Sequence, residues 1–265
     1  MELYVSDVSF PGCRHYGALS AIDIALWDIA GKYYGVPVWK LLGGKCRDKA
    51  RVYYHVFGET TEELVEGCKK AKEQGFTAIG HLTPFVDTFD RSKPAPFESY
   101  ASRIEGAIDR VSQYRKAVGS EVDLCIEIHR QCNVSEAIAL ARGIEKYHPY
   151  FYEDPVKPDN FDDMAEAFGV EVVPHNPLSA VSTMACLQIA ASAPNFAIQE
   201  YPLGQEVPPQ SEVLYPAPKA ENGFLLFNEA PGIGIELDED VIAKYPFRPQ
   251  TKLTLLKADG SIFDQ

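Results

Sequence analysis

At 265 residues, with 46% hydrophobic and 24% charged residues, the chain has the composition of a folded globular protein, long enough for one α/β barrel or two small domains. A formal net charge of −13 argues against non-specific binding to nucleic acid or to an anionic membrane. It leaves an anionic substrate open, because a bound metal reverses the local field.

No apolar run reaches the roughly 18 residues of a spanning helix, and the opening MELYVSDVSFPG shows no secretory signal. Six scattered cysteines (Cys13, Cys46, Cys68, Cys125, Cys132, Cys186) without a CxxC pair fit reduced thiols in a cytoplasmic protein.

Residues 17–34 predict a helix: Ala18, Ala21, Ile22, Ala25, Leu26, Ile29 and Ala30 recur at helical spacing. Gly35 stands at its C-cap and Pro37 blocks continuation. Trp27 and Trp39 read as core or interface anchors. A Gly-Gly turn leads into the β-rich run RVYYHVF at 51–57. Thr60 and Glu63 have the spacing of a capping box for a helix over 61–74, which Gly75 ends before a short strand at 76–79. A loop over 81–97 precedes a helix over 98–118 with Ile104, Ile108, Val111 and Tyr114 on one face. A strand at 122–128 and a helix from a Ser135 cap to about Tyr147 follow. Next come a strand at 150–152, a short helix from Asp159 or Asn160 to Phe168, and a strand at 170–173. A helix over 180–192, capped by Ser179, leads to a strand at 196–199.

Six strands alternating with helices mean parallel sheet built from βαβ units. The tail from 201 is rich in Pro and Gly, with short apolar runs (GFLLF, IGIEL), and reads as an extended excursion.

Five strand ends carry candidate groups: Gly80 and His81, Glu127 and His129, Glu153 and Asp154, His175 and Asn176, and Glu200. Each has a bland explanation by itself. A lone strand-end histidine is more often a hydrogen-bonded structural residue, and Glu-Asp-Pro is commonly a capped turn. Five in succession point to a site, because strand C-termini of a parallel barrel converge on one open face. Carboxylates there suit a hard cation such as Mg²⁺, and His129, two residues after Glu127, shares its side-chain parity. In this reading Glu127 and Glu153 hold Mg²⁺, which binds a substrate carboxylate and stabilises the enediolate left when the α-proton departs. His129 and His175 handle protons: one abstracts the α-proton and the other protonates a departing β-hydroxyl.

ALSAIDIALWDIAGKYYGVPVWKLLGG (18–44), RDKARVYYH, GFTAIG, the IEIH strand, FYEDP, VEVVPHNPLS, NFAIQEY and PGIGIELDED together resemble the enolase superfamily, in its mandelate racemase / muconate-lactonizing branch. His129 beside the first ligand position, with PHNPLS and IQE later, is most similar to sugar-acid dehydratases of the galactonate type. The resemblance implies an α/β, TIM-type (β/α) barrel, a Mg²⁺ site at Glu127 and Glu153, His129 as general acid, His175 as general base and Glu200 near the substrate carboxylate.

The sequence departs from the family's pattern in three places. The first ligand is usually Asp, where this chain has Glu127, and a basic residue is common where it has Gly80. FDDMAEAF also runs straight into GVEVVPHN, where the family inserts two βα units carrying the third metal ligand and the Asp that pairs with the His175 position. Two carboxylates hold Mg²⁺ less tightly than three.

The expected organisation is a remnant of the helical capping domain over 1–48, an incomplete barrel of about six units over 49–200, and a segment over 201–265 packing back on the capping region. The implied function is a Mg²⁺-dependent hydro-lyase acting on a small acid sugar, with a catalytically inactive remnant or interaction scaffold as the alternative. An open parallel edge favours assembly, so a homo-oligomer is expected, with neither nucleic acid nor membrane as partner.

Overall fold

The computed structural model describes residues 13–85, 97–156, 172–176, 179–202 and 205–246, with two short strands beyond them, Leu255–Leu256 and Ile262–Phe263. The expected helix from Asp159 or Asn160 to Phe168 lies outside the described residues.

Helix α1 (Cys13–Tyr34) and the single turn α2 (Val38–Leu41) precede strand β1 (Lys49–His55). Then follow α3 (Thr61–Glu73), β2 (Ala78–Leu82), α4 (Tyr100–Val118), β3 (Asp123–Glu127), α5 (Val134–Ile144), a 3₁₀ turn at Glu145–Tyr147, and β4 (Phe151–Glu153). After the gap come α6 (Ala180–Ser192) and β5 (Gln199–Tyr201). The tail adds β6 (Leu214–Tyr215), β7 (Phe224–Leu226), β8 (Glu236–Leu237) and α7 (Glu239–Ile242).

The core sheet has the order β4-β3-β2-β1-β5, every neighbouring pair parallel. Successive strands lie side by side and β5 returns beside β1, with the helices packed against the sheet. Val172 makes an isolated parallel bridge to Phe196, so the 172–176 segment runs beside the approach to β5. Among the described residues, β4 and β5 are the two edges of the sheet. The antiparallel strand β7 joins the N-terminal half of β1.

Local chemistry fixes the helices. Thr60 accepts from Glu63 N at 3.2 Å, and Glu63 reaches back to Glu59 N at 2.7 Å. Ser179 caps α6, as the sequence predicts. The expected cap at Ser135 is instead Asn133, which closes a full capping box with Glu136. An amide oxygen two residues earlier accepts from the Glu136 N–H, so the helix starts sooner. The strands at 76–79, 150–152 and 196–199 begin later than expected, at 78, 151 and 199, and the strand at 170–173 reduces to the bridge at Val172 among the described residues.

Leu64, Cys68 and Ala71 of α3, and Ile104, Ala107, Val111 and Tyr114 of α4, are buried against the sheet. Full burial of a Leu or Ile side chain contributes about 1.5–3 kcal/mol. Helix α4 also fixes the site-facing loops. Tyr114 Oη donates to Thr83 O at 2.9 Å, Arg110 to Pro84 O at 2.8 Å, and Arg103 to Gln131 O at 3.1 Å. The turns after β2 and β3 are thus tethered to one rigid helix.

Trp39 is buried, but Trp27 is exposed, as are Ile22, Leu26 and Ile29 of the predicted apolar stripe. Helix α1 docks along another line. Gly31 faces Gly232, Asp28 Oδ1 accepts from Ile233 N at 2.8 Å, and Val38 N donates to Gly232 O at 2.9 Å. A Cβ at Gly31 would stand 2.6 Å from Gly232 Cα, so only glycine permits this approach. Gln188 of α6 ties the region together, accepting from Trp39 N and donating to Ile233 O.

Candidate active site

Glu127 is the last residue of β3 and Glu153 the last of β4, and the two are register partners across the ladder. Glu200 lies in β5, opposite Tyr53 of β1. The sheet therefore brings these three carboxylates to one end, where the strand C-termini converge. His129 reaches the same end by a route the sequence did not suggest. Strand β3 stops at Glu127, and His129 follows in a left-handed turn with φ +52°. The turn, not pleat parity, points its ring back at Glu127.

Two further histidines join them, neither assigned a role from the sequence. His55 ends β1, and His81 stands near the end of β2 with φ +56°. Both had a visible signal, a histidine at the C-terminal end of a parallel strand, and His81 was already among the strand-end candidates.

The result is two His–Glu–His groups. In the first, Glu127 Oε2 lies 2.7 Å from His81 Nδ1, and Glu127 Oε1 lies 2.8 Å from His129 Nε2. In the second, Glu200 Oε1 lies 3.2 Å from His55 Nε2, and Glu200 Oε2 lies 3.3 Å from His175 Nδ1. The His55 and His81 rings stack at 5.1 Å between centroids and connect the groups.

The second group is the more firmly held. The backbone N–H of Asn176 donates to Glu200 Oε2. The fully buried Asn176 side chain donates to Thr183 Oγ1 at 2.6 Å and to Glu200 O at 3.1 Å. His175 itself is exposed, so its ring faces solvent while Glu200 anchors it. The Asp that pairs with this histidine position in the family is absent from the chain. Here Glu200 stands within reach of its Nδ1.

A cavity of about 280 Å³ opens at this end, lined by Tyr53, Phe151, Glu153, Val173, His175 and Glu200. Residues of β4, of β5 and of the 172–176 segment line it together. The Tyr53 ring fills the place of a side chain at position 80: a Cβ on Gly80 would fall 2.2 Å from Tyr53 Cδ2.

The electrostatics separate the three carboxylates. Burial pushes the Glu153 carboxyl up to about 7, reinforced by the charges of Glu127 and Glu200. Burial acts upward on Glu127 too, but hydrogen bonding to His129 and His81 outweighs it and holds the group well below the usual carboxylate range. Glu200 likewise drops to about 2, since hydrogen bonds from His175, His55 and the Asn176 N–H overcome its burial. His129 is raised chiefly by its hydrogen bond to Glu127, and His175 by its hydrogen bond to Glu200. The site thus combines two ionised carboxylates, two histidines (His129 and His175) whose pKa values those carboxylates raise, and one carboxyl that titrates near neutrality.

A Mg²⁺ ion on Glu127 and Glu153 does not fit this arrangement. Both Glu127 oxygens face an imidazole nitrogen within 2.8 Å. Among the described residues, the groups close enough to share one ion are His81, Glu127 and His129, not a set of carboxylates. Mg²⁺ selects oxygen ligands in an octahedron, and two nitrogens with one carboxylate are not its donor set.

A family model described as Enolase C-terminal domain-like matches residues 63–165 and 161–241. The Mandelate racemase / muconate lactonizing enzyme, N-terminal domain, matches residues 8–43. A D-galactonate dehydratase family member of Salmonella virchow is 28% identical over 310 residues, covering 86% of this chain and 74% of that protein. A second, of Pantoea ananatis, is 28% identical with the same coverage. Among solved structures, a mandelate racemase/muconate lactonizing enzyme from Jannaschia sp. CCS1 superposes with TM-score 0.78 at 25% identity, over 92% of this chain and 78% of that one. A member of the enolase superfamily from Salmonella Typhimurium gives TM-score 0.75 at 26% identity, over 88% and 77%.

The Salmonella virchow alignment runs over 310 residues, to which this chain contributes about 228, being 86% of 265. The two pieces of the C-terminal match overlap at 161–165, just ahead of the junction where FDDMAEAF runs into GVEVVPHN.

Proposed function

The chain belongs to the mandelate racemase / muconate lactonizing enzyme branch of the enolase superfamily, and on that premise we propose that it acts on a small hydroxy-carboxylate by acid–base chemistry of the sugar-acid dehydratase kind. His175, anchored by Glu200, takes the proton on the carbon α to the carboxylate. His129, anchored by Glu127, gives a proton to the departing β-hydroxyl. The Cα–H and Cβ–O bonds break, a Cα–Cβ double bond forms, and water leaves. The enol then tautomerises to a 2-keto acid. Glu153 lines the cavity beside His175, and its partly protonated carboxyl donates to a substrate carboxylate or hydroxyl near neutral pH.

The observation that carries this reading is the pairing of each proton-transfer histidine with its own carboxylate, the Glu200–His175 pair lining the cavity with Glu153 and the Glu127–His129 pair beside Glu153 across the β3–β4 ladder. The similarity to D-galactonate dehydratase family members supports the substrate class. Incubation with a panel of aldonic and aldaric acids, with the 2-keto product trapped as its semicarbazone, tests it. Product from wild type and none from His175→Asn supports the assignment; equal product from both removes His175 from the reaction.

A specific observation favours a second reading, a carboxylate-binding protein without turnover: the residues present do not assemble a Mg²⁺ site. Sugar acids then raise the melting temperature and no 2-keto acid forms with any divalent ion supplied.

A further inference from the structure

We propose that His81 Nδ1, a Glu127 carboxylate oxygen and His129 Nε2 form a binding site for a borderline divalent transition ion of the zinc or cobalt class. The three ligand atoms lie within 4.8 Å of one another. His81 and Glu127 come from the ends of two adjacent parallel strands, and His129 from the left-handed turn that directly follows the second. Two imidazole nitrogens and one carboxylate, with further positions open, are the donor set such ions take.

Three features argue for a built site over a chance cluster. First, the Glu127 side chain is nearly buried while the His81 and His129 rings are partly open, which leaves the outer side of the triad free for exchangeable ligands. Second, both histidines sit at positive φ, +56° and +52°, a conformation that costs a non-glycine residue energy and tends to persist where a side chain has a task. Third, the His81 ring is gripped by its neighbours, Phe57 at 4.3 Å and His55 at 5.1 Å between centroids, so its orientation is set before any ion arrives.

The site does not rest on the dehydratase reading. It does constrain it, because an imidazole nitrogen that holds an ion cannot hold a proton. With an ion on Nε2, only Nδ1 of His129 is left to give a proton.

Cobalt(II) titration of the purified full chain, followed by its visible d–d spectrum, tests the proposal without any need for activity. The expected result is one Co²⁺ per chain, displaced by Zn²⁺ and not by a hundredfold excess of Mg²⁺. His81→Ala and His129→Ala each lower the affinity at least tenfold, while His148→Ala, on the surface, leaves it unchanged. Circular dichroism melts confirm that the variants are folded; His129 lies outside the strands and provides the test if His81→Ala unfolds. The proposal is overturned if Co²⁺ fails to bind, or if a sulfur-to-cobalt charge-transfer band places it on cysteine. It is equally overturned if Glu153→Gln abolishes binding that both histidine variants retain, which puts the ion on the carboxylates.

Discussion

The ring of Tyr53 occupies the space into which any side chain at Gly80 would project, its Cδ2 standing 2.2 Å from the position of a Cβ there. One strand's aromatic residue has therefore taken the place of its neighbour's side chain at the mouth of the site. Restoring a basic residue at 80 by itself overpacks a buried position. Gly80→Arg is predicted to destabilise the chain by about 2–3 kcal/mol. The double variant Tyr53→Ala, Gly80→Arg recovers part of that loss, because the clash and its cause go together. Urea denaturation of the four chains in this cycle measures it, and additivity would show that the two positions do not compete for space.

Glu153 gives the chain a pH dependence opposite to that of an ordinary salt-bridged acid. Its folded pKa of about 7 lies above the ordinary 4.5, so between those values the folded state holds a proton that the unfolded state has released. Stability therefore falls as pH rises from about 4.5 through 7, by up to about 3 kcal/mol. Glu153→Gln, which cannot ionise, is predicted to be more stable than wild type at pH 8 and to show little difference at pH 5. Denaturant melts at the two pH values decide it; equal curves at pH 8 count against burial as the cause.

Glu200 acts in the other direction. Its folded pKa of about 2 is depressed from 4.5, so its contribution is complete above about 4.5 and is lost as pH falls through 2. Glu200→Gln flattens the acid limb of the stability profile. Asn176→Ala removes the side chain that ties the 172–176 segment to Thr183 and to β5, and is predicted to cost about 2–3 kcal/mol, read from the shift in the denaturation midpoint.

How much of this was legible beforehand differs element by element. The βα order and the caps at Thr60 and Ser179 were readable because hydrophobic period and capping chemistry are local, although Glu63 reaches Glu59 N and so leaves the expected box at Thr60 unclosed. So was the convergence of Glu127, Glu153, His175 and Glu200, since parallel strands send their ends to one face. What the sequence concealed depends on contacts between distant segments. The exposure of Ile22, Leu26 and Ile29 follows from α1 docking by Asp28 and Gly31 instead of its apolar stripe. The roles of His55 and His81 appear only when β1 and β2 lie beside β3 and β5, and the left-handed turn at His129 has no periodic signature.

The contact of α1 with the tail is itself testable. A Cβ at Gly31 meets the backbone of Gly232, which cannot retreat as a side chain can. Gly31→Ala is predicted to cost about 1–3 kcal/mol and to loosen both segments together. Limited proteolysis is expected to cut faster near 232 in this variant, though the substitution lies two hundred residues away in sequence; an unchanged cleavage pattern refutes the contact.

The central claim is that His175, anchored by Glu200, removes the proton α to a substrate carboxylate. It is tested most directly by proton NMR of sugar acids in D₂O, with Mg²⁺, Mn²⁺ and Co²⁺ each supplied. The account predicts that wild type exchanges the α-proton of at least one hydroxy acid for deuterium, and that His175→Asn, folded and still able to bind Co²⁺, does not. Exchange that survives in His175→Asn, or a wild-type chain that exchanges none with any ion, contradicts it.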